Sequence, residues 1–177
     1  MTALVWDEAP IAKTHDRAAF DCGDSDLDHY LQKFARQNHA SGGAKCFVAA
    51  PSDAPTRVLG FYTLSPASLD YARTPALAKK GLARYDVPVF RLGRLAVDRT
   101  VQGRGLGGAL LLRAADRCIR VSKDVGGVAL LIDARDERAG RWYRSYGALA
   151  LDDAPLCLVL PLAVAADALK RATPTPP

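Results

Sequence analysis

The sequence predicts an α/β fold, and three observations support this prediction. Two β-rich runs, Cys46–Ala50 and Val58–Leu64, are separated by turn residues and predict a hairpin. A continuous apolar run, Val128–Ile132, is typical of a strand covered on both faces. Between and around these runs, apolar residues recur at helical spacing. Strands and helices therefore alternate along the chain.

The first predicted elements are a short strand, Leu4–Trp6, and a helix that begins at a capping-box-like pair, Ser25 and Asp28. Apolar residues then fall at i, i+4, i+7 and i+8, which predicts a stripe facing a sheet: Leu27, Leu31, Phe34 and Ala35. We expect this helix to end at Ser41–Gly43.

The predicted hairpin has a loose turn over Pro51–Thr56 and is followed by a less regular segment, Pro66–Pro88. The segment contains three helix-breaking residues around a short helix, and we expect it to face a substrate. The strand Phe90–Val97 comes next. The period-two alternation of side chains along this strand is disturbed around Gly93, which predicts a β-bulge there.

A glycine-rich turn, Gln102-Gly103-Arg104-Gly105-Leu106-Gly107, joins this strand to a long helical stripe. The stripe consists of Leu106, Leu110, Ala114, Cys118 and Val121. Unpaired N–H groups at a helix N-terminus attract anions, and glycines let a phosphate approach them. A dinucleotide fingerprint and a Walker A loop are both missing from the sequence, so the turn predicts a different nucleotide site.

The remaining elements follow the second apolar strand. We expect a short helix over Asp136–Tyr146, a closing pair of strands at Ala148–Leu151 and Cys157–Leu162, and a terminal helix at Ala163–Arg171. The chain has 177 residues, 49% of them hydrophobic, and shows no linker. We therefore expect one domain, 1–171, with a disordered tail at 172–177.

Composition limits the classes of function. The four cysteines have no C-x-x-C spacing and the three histidines no ligand spacing, so we expect reduced thiols and no metal site. A signal peptide and a membrane-length apolar run are both missing, which predicts a cytoplasmic protein without membrane contact.

The net charge of +5 favours polyanionic ligands. Positive charge is concentrated between Lys79 and Arg104, where seven cationic residues face two acidic ones. This tract is either a solvated basic face or a surface that holds the phosphates of a nucleotide ligand and a nucleic-acid substrate, and its composition leaves both interpretations open.

Two motifs resemble those of the GNAT superfamily of N-acetyltransferases. Gln102, Gly105 and Gly107 fill its Q/R-x-x-G-x-G/A pyrophosphate pattern, and Asp136–Gly147 is similar to its N/D-x-x-A-x-x-x-Y-x-x-x-G segment. The resemblance implies a single mixed, centrally splayed sheet flanked by helices, acetyl-CoA as co-substrate, and Tyr143 as general acid. It implies a set of cofactor-binding residues: Leu95, Ala96, Val97, Gln102, Gly103, Arg104, Gly105, Leu106, Gly107, Gly108 and Asp136.

A narrower resemblance extends from Phe20 to Leu162 and is to the GNAT toxins of bacterial toxin–antitoxin pairs. It is carried by Phe20–Gly23, Leu27-Asp28, Arg94–Asp98, the glycine turn, Asp133-Ala134 and Leu160–Leu162. It implies acetylation of aminoacyl-tRNA and a ribbon-helix-helix antitoxin as partner. The oligomeric state stays open, with a homodimer as one option. The expected tRNA-binding residues are Lys79, Lys80, Arg84, Arg91 and Arg94. The chain departs from the family at Ala148, where an aromatic residue is usual.

The chemistry of the substrate amine points the same way. The strand Phe90–Val97 contains no acidic residue to act as a base. A free α-amino group, with a pKa of about 7.7 to 8.0, loses its proton more readily than a lysine side chain and so depends less on a general base. Two alternatives stay open at this point: a GNAT enzyme for a small amine or a protein N-terminus, and a non-catalytic acyl-CoA- or nucleic-acid-binding module. We assign no cysteine as a nucleophile.

Overall fold

The computed structural model describes residues 2–172 and contains seven strands and six α-helices in that range. In chain order the elements are β1 (Trp6–Pro10), α1 (Ser25–Lys33), α2 (Ala35–Ser41), β2 (Lys45–Pro51), β3 (Gly60–Leu69), α3 (Ala76–Lys79), β4 (Val87–Val97), a 3-10 turn (Arg99–Val101), α4 (Leu106–Val125), β5 (Ala129–Asp133), α5 (Glu137–Ser145), β6 (Leu149–Leu151), β7 (Ala154–Pro161) and α6 (Leu162–Ala172).

The strands form one mixed sheet in the order β1-β2-β3-β4-β5-β7-β6. β4 and β5 are parallel, whereas β1–β2, β2–β3, β5–β7 and β6–β7 are antiparallel. The α/β prediction is therefore confirmed. The ladder between β4 and β5 covers Phe90–Leu92 and stops before Gly93, although β4 continues to Val97. The alternation of buried and exposed residues in β4 is broken between Val89 and Leu92, before Gly93 is reached. A bulge at Gly93 itself stays a prediction.

The chain divides into two compact units. Within the described residues, the first comprises 2–65 and Gly93–Leu111. Its core joins the faces of α1, α2 and the strands through buried residues that include Phe20, Leu31, Cys46 and Phe61. The ring of Phe20 meets that of Phe61 edge-on at 5.6 Å, so aromatic packing closes this core.

The second unit comprises, within the described residues, Pro66–Leu92 and 112–172. Its core gathers apolar residues from α3 and five strands: Leu69, Ala78, Val87, Val89, Ala129, Leu131, Leu151 and Val159. Ala129 and Val159 are fully buried here, as expected for strands inside a covered sheet. The short helix predicted within Pro66–Pro88 is α3, and its Ala78 anchors the segment to this core.

The predicted N-terminal elements need three corrections. The first strand is Trp6–Pro10 and not Leu4–Trp6. The cap of α1 is Asp24, whose carboxylate accepts hydrogen bonds from the backbone N–H groups of Asp26 and Leu27, so Ser25 is the first helical residue. The predicted single helix is broken at Phe34, whose side chain is 48% exposed and is not part of the core-facing stripe.

The long helix α4 agrees with its predicted stripe over most of its length. Leu106, Leu110, Ala114 and Cys118 are buried, but Val121 is 43% exposed because the last turns of α4 extend past the core. None of the helices within 2–172 is both long and apolar enough to cross a membrane.

The prediction of one domain over 1–171 stays a prediction. Of the predicted tail, Ala172 is the last residue of α6, and residues 173–177 lie outside the described part of the chain.

Candidate active site

The glycine turn is an exposed connection between the end of β4 and the start of α4. Gly103 and Gly105 have positive φ angles of 74° and 83°, and Gln102–Gly105 are all exposed. A Cβ atom on Gly105 would meet nothing within 4 Å, so the backbone conformation, and not crowding, requires glycine there. The space above this turn is open, as a phosphate cradle requires.

The first turn of α4 presents backbone donors at this place. The first recorded bond of the helix joins the Ala109 N–H to the Gly105 carbonyl at 3.1 Å. The N–H groups of Leu106, Gly107 and Gly108 precede this bond and have no acceptor one turn earlier within the helix. Such groups bind anions, and the dipole of a 20-residue helix adds to the attraction.

The Arg104 side chain is exposed and contacts the N-terminal segment. Its Nη2 donates to the Thr2 carbonyl at 3.1 Å. This contact borders an open cavity of about 770 Å³, which Arg57 and Leu59 also line. Arg104 thus stands at the turn, as the sequence predicts, with its guanidinium turned to the Thr2 carbonyl.

Gln102 is placed differently from the expectation for a ligand. Its Nε2 donates to the Val97 carbonyl at 2.8 Å and to the Cys22 carbonyl at 2.9 Å. Both amide hydrogens are therefore used inside the protein. The remaining Oε1 is an acceptor and offers nothing to a phosphate.

Asp98, which follows β4 directly, is a site residue that the sequence reasoning missed. Its buried carboxylate accepts hydrogen bonds from the Asp21 N–H at 3.1 Å and from the Thr100 N–H at 3.0 Å and hydroxyl at 2.6 Å. Burial alone would raise the pKa of Asp98, but these hydrogen bonds and the nearby Arg57 guanidinium hold it below its usual range. Asp98 is therefore ionised at neutral pH.

The three residues expected to line the acyl arm form the last part of β4. Ala96 is buried with the core of its unit, and Leu95 and Val97 are half-buried. Ala96 therefore packs on the core side of the strand, while Leu95 and Val97 are partly open to solvent.

Helix α5 positions the second group of predicted site residues. Asp136 is its N-cap, and the Asp136 carboxylate accepts a hydrogen bond from the Ala139 N–H at 2.8 Å. Glu137 forms an ion pair with Arg144 on the same helix. The motif position of Asp136 thus has a structural explanation, the start of the helix.

Tyr143 is the buried aromatic residue of α5, with 9% of its surface exposed. The Trp142 ring packs edge-on against it at 4.9 Å. Burial raises the pKa of Tyr143 to about 12, so the phenol keeps its proton at any physiological pH. Tyr146, one helical turn later, is half-buried and contacts Trp142 at 5.1 Å, and so it belongs to the packing of the helix end. Ala148 is buried and donates its N–H to the Tyr143 carbonyl.

The basic residues predicted to bind tRNA fall into two groups. Lys79 donates to the Tyr71 carbonyl and lies over the Tyr71 ring, Arg91 pairs with Asp133, and Arg94 lies 3.5 Å from the ring centre of Tyr30. Lys80 and Arg84 are exposed. Sequence reasoning missed their neighbour Tyr85, which is 80% exposed although aromatic side chains are usually covered.

The four cysteines are free. Cys46 and Cys118 are buried, and burial raises the pKa of each, and that of Cys22, to about 12. Cys157 has a pKa raised to about 11, again mainly by burial. Thiols with such pKa values hold their protons, which argues against a cysteine nucleophile. Among the described residues we find no cluster of histidine, cysteine and acidic side chains that could hold a metal ion.

Within the described residues, a mixed seven-stranded sheet whose fourth strand leads through a glycine turn into a long helix is the arrangement expected from the acetyltransferase resemblance. The comparisons make this specific. Residues 8–148 match the Acetyltransferase (GNAT) family, and the chain belongs to that family. The resemblance predicted from the glycine turn and the α5 segment is confirmed.

Three similar proteins are informative. A protein of Mycobacterium tuberculosis (strain ATCC 25618 / H37Rv), the tRNA-acetylating toxin, is 38% identical over 150 residues, 85% of this chain and 88% of the relative. AtaT complexed with acetyl-methionyl-tRNAfMet has a TM-score of 0.84 at 25% identity, over 94% of this chain and 98% of AtaT. A mutant AtaT toxin bound to the C-terminus of the antitoxin AtaR has a TM-score of 0.79 at 25% identity, over 92% of this chain and 97% of that one.

Proposed function

We propose that this acetyltransferase transfers the acetyl group of acetyl-CoA to the α-amino group of an aminoacyl-tRNA and thereby acts as a toxin that blocks translation. The observation that supports this most strongly is the 38% identity to a tRNA-acetylating toxin over 85% of the chain. The likeness to AtaT in complex with acetyl-methionyl-tRNAfMet supports the same substrate class.

The glycine turn fits the pyrophosphate of acetyl-CoA. Gly103 and Gly105 keep the approach to the first turn of α4 open, and the N–H groups of Leu106, Gly107 and Gly108 supply donors for the phosphate oxygens. Arg104 would contribute charge once its side chain leaves the Thr2 carbonyl. The backbone of Leu95, Ala96 and Val97 would hold the pantetheine arm and the thioester.

Acetyl-CoA supplies an activated acetyl group whose leaving group is a thiolate. In our proposal Tyr143 holds a proton at Oη and gives it to that thiolate. Burial raises the pKa of Tyr143 to about 12, which alone would make it a weak acid. Burial also raises the pKa of the Cys46 and Cys118 thiols, elsewhere in the protein, to about 12. A CoA thiol in a similarly buried site would therefore have a pKa close to that of the phenol.

The amine receives little help from β4. The strand Val87–Val97 contains no aspartate or glutamate, so no acidic side chain on it can act as a general base. An aminoacyl ester amine, with a pKa of about 7.7 to 8.0, is partly neutral at physiological pH and can attack without one. This absence favours an α-amine over a lysine side chain.

The segment after α3 is the surface we assign to tRNA. Lys80 and Arg84 are exposed and supply charge for phosphates, and Tyr85 offers a flat ring on which a base can stack. Lys79, Arg91 and Arg94 are held by partners within their own units and would contribute charge in fixed positions.

We further propose a ribbon-helix-helix antitoxin as the partner that neutralises the enzyme. The similarity to AtaT bound to the C-terminus of the antitoxin AtaR supports an antitoxin partner in general. The ribbon-helix-helix class and a homodimer remain predictions, which co-purification with the neighbouring gene product and light scattering would test.

The proposed function is tested with purified protein, radiolabelled acetyl-CoA and a pool of charged tRNAs. Label should appear on aminoacyl-tRNA and not on deacylated tRNA, because only the ester carries the low-pKa amine. In parallel, small polyamines and a peptide with a free N-terminus are offered. Efficient labelling of these, with none on any aminoacyl-tRNA, would overturn the proposal in favour of an acetyltransferase for small amines or protein N-termini.

The assigned tRNA surface gives a prediction of its own. The double change Lys80→Glu and Arg84→Glu should raise the KM for aminoacyl-tRNA and flatten its salt dependence, because phosphate contacts are lost. Tyr85→Ala should raise the KM by about tenfold, the scale of one stacked base, while Tyr85→Trp keeps it near the wild-type value. The matched control is Lys123→Glu with Arg120→Glu on the last turns of α4. Equal effects of the two charge-reversed pairs would show a general charge effect and no defined surface.

A further inference from the structure

The beginning of the glycine turn is held to a distant loop by two polar side chains. Gln102 donates to the Cys22 carbonyl at 2.9 Å and the Val97 carbonyl at 2.8 Å. Asp98 accepts from the Asp21 N–H at 3.1 Å. The loop residues Asp21 and Cys22 lie about eighty positions away in sequence, so these bonds fix two separate parts of the first unit to each other.

The network around Asp98 continues outward. The Thr100 hydroxyl donates to Asp98 at 2.6 Å and accepts from Arg57 Nη2 at 2.8 Å. Backbone hydrogen bonds add to those of the side chains. The Arg99 N–H donates to the Asp21 carbonyl and the Asp98 N–H to the Leu59 carbonyl, each at 2.8 Å. Every residue from Asp98 to Thr100 is therefore held before the chain enters the exposed glycines.

We propose that Asp98 and Gln102 are positioning residues that fix the phosphate turn in its binding conformation, and that Gln102 is not itself a ligand of the pyrophosphate. Gln102 has no free N–H to offer a phosphate, because both amide hydrogens are bound to carbonyls. Gly103 and Gly105 have positive φ angles, and a Cβ atom on either would meet nothing within 4 Å, so the order of the turn depends on what holds its first residue. Fixing that residue lowers the entropy lost when an anion binds.

This inference rests on the proposed binding of acetyl-CoA at the glycine turn. Gly107→Glu is therefore the reference variant, because a carboxylate in the first turn of α4 should repel the pyrophosphate and abolish binding in calorimetric titration with acetyl-CoA. If Gly107→Glu binds as tightly as the wild type, the site assignment fails, and the inference fails with it.

The inference is tested with Gln102→Met, which keeps the length of the side chain and removes both donors. Acetyl-CoA affinity should fall about tenfold, the scale of one or two net hydrogen bonds. Hydrogen exchange of the ligand-free protein should rise in peptides covering 20–24 and 97–105. Asp98→Asn should change both quantities in the same direction as Gln102→Met. The amide NH₂ of asparagine would face a backbone N–H from which the Asp98 carboxylate now accepts a hydrogen bond.

The matched controls are Gln37→Met and Asp26→Asn, which change exposed residues of α2 and α1 and should alter neither quantity. A tenfold loss of affinity in Gln102→Met without any change in exchange of the ligand-free protein would make Gln102 a ligand and overturn the inference. Increased exchange with unchanged affinity would overturn it as well, since the bonds would then be structural only. The double variant should be less than additive in affinity, because both side chains act on the same turn.

Discussion

At the scale of single residues, the proposed general acid Tyr143 offers the most direct test of the chemistry. Tyr143→Phe removes one hydroxyl from a residue that is 9% exposed and leaves the ring packed against Trp142. Acetyl-CoA should still bind, and kcat should fall by roughly 10² to 10⁴, the usual contribution of a positioned general acid. Steady-state kinetics together with calorimetric titration measure both quantities.

Tyr146→Phe is the matched control for this prediction. Tyr146 lies on the same helix end and contacts the same tryptophan, but it is half-buried and three residues further on. Its removal should leave kcat within a few-fold of the wild-type value. Equal kcat in the two variants would make both tyrosines structural and would remove the general-acid assignment.

The sequence predicted the positions of these residues better than their contacts. The spacing from Asp136 to Gly147 correctly placed Tyr143 on a short helix, because a helix cap and a terminal glycine are local signals. The bonds of Gln102 and Asp98 to residues 21 and 22 could not be predicted, since they join parts of the chain about eighty positions apart. Side-chain partners of that kind depend on the tertiary structure.

At the scale of elements, the end of α5 shows why a glycine, Gly147, follows this helix. Its φ angle is 97°, and a Cβ atom there would lie 2.5 Å from Val164 Cγ1 in α6. Gly147→Ala should therefore lower the free energy of unfolding by about 2 to 4 kcal/mol, from backbone strain together with overpacking. Urea unfolding followed by circular dichroism measures the loss.

Gly140→Ala provides the comparison within the same helix. A Cβ atom on Gly140 would meet its nearest neighbours, on Arg144 and Leu156, at 3.7 Å, which is ordinary contact. This change should raise the free energy of unfolding by about 0.5 to 1 kcal/mol, because alanine favours a helix interior. A destabilisation of the same size in both variants would contradict this explanation of Gly147.

Element types were easier to predict than element boundaries. The two-sided burial of β5 and the stripe of α4 were visible because a continuous apolar run and a 3.6-residue period are strong signals. The break between α1 and α2 was not, since Phe34 continues the apolar period although its side chain is exposed. The Phe34 N–H makes the last helical bond of α1, to the Tyr30 carbonyl, and the φ angle of −118° at Phe34 leaves the helical range, a change of backbone angle about which periodicity carries no information.

At the scale of the whole molecule, the order of elements was enough to predict an α/β fold, and the strand order of the sheet was not. The strand order β5-β7-β6 places the last strand inside the sheet and its predecessor at the edge. Sequential neighbours usually pair, so a pattern of strands alone cannot reveal this insertion. The family resemblance predicted one mixed sheet and gave no strand order.

Folding stability should fall as the pH decreases from 7.5 to 5.5. Burial lowers the pKa of His15, and burial together with Lys45 lowers that of His39, below the ordinary value near 6.5. In this range the unfolded chain binds protons that the native state resists, so stability is lost towards lower pH. The slope contributed by each histidine is at most about 1.4 kcal/mol per pH unit.

The hydrogen bonds of the two histidines predict the same loss of stability towards lower pH. The Nδ1 atom of His15 accepts the Ala12 N–H at 2.9 Å, and that of His39 accepts the Cys46 N–H at 3.0 Å, so each ring must keep Nδ1 unprotonated. In the double variant His15→Asn and His39→Asn, the amide oxygen can accept the same hydrogen bond and does not titrate. Urea unfolding at pH 7.5, 6.5 and 5.5 should then show a flatter dependence than the wild type. The exposed His29, changed to alanine, is the control and should keep the wild-type slope. An unchanged slope in the double variant would assign the acid sensitivity to groups other than these two histidines.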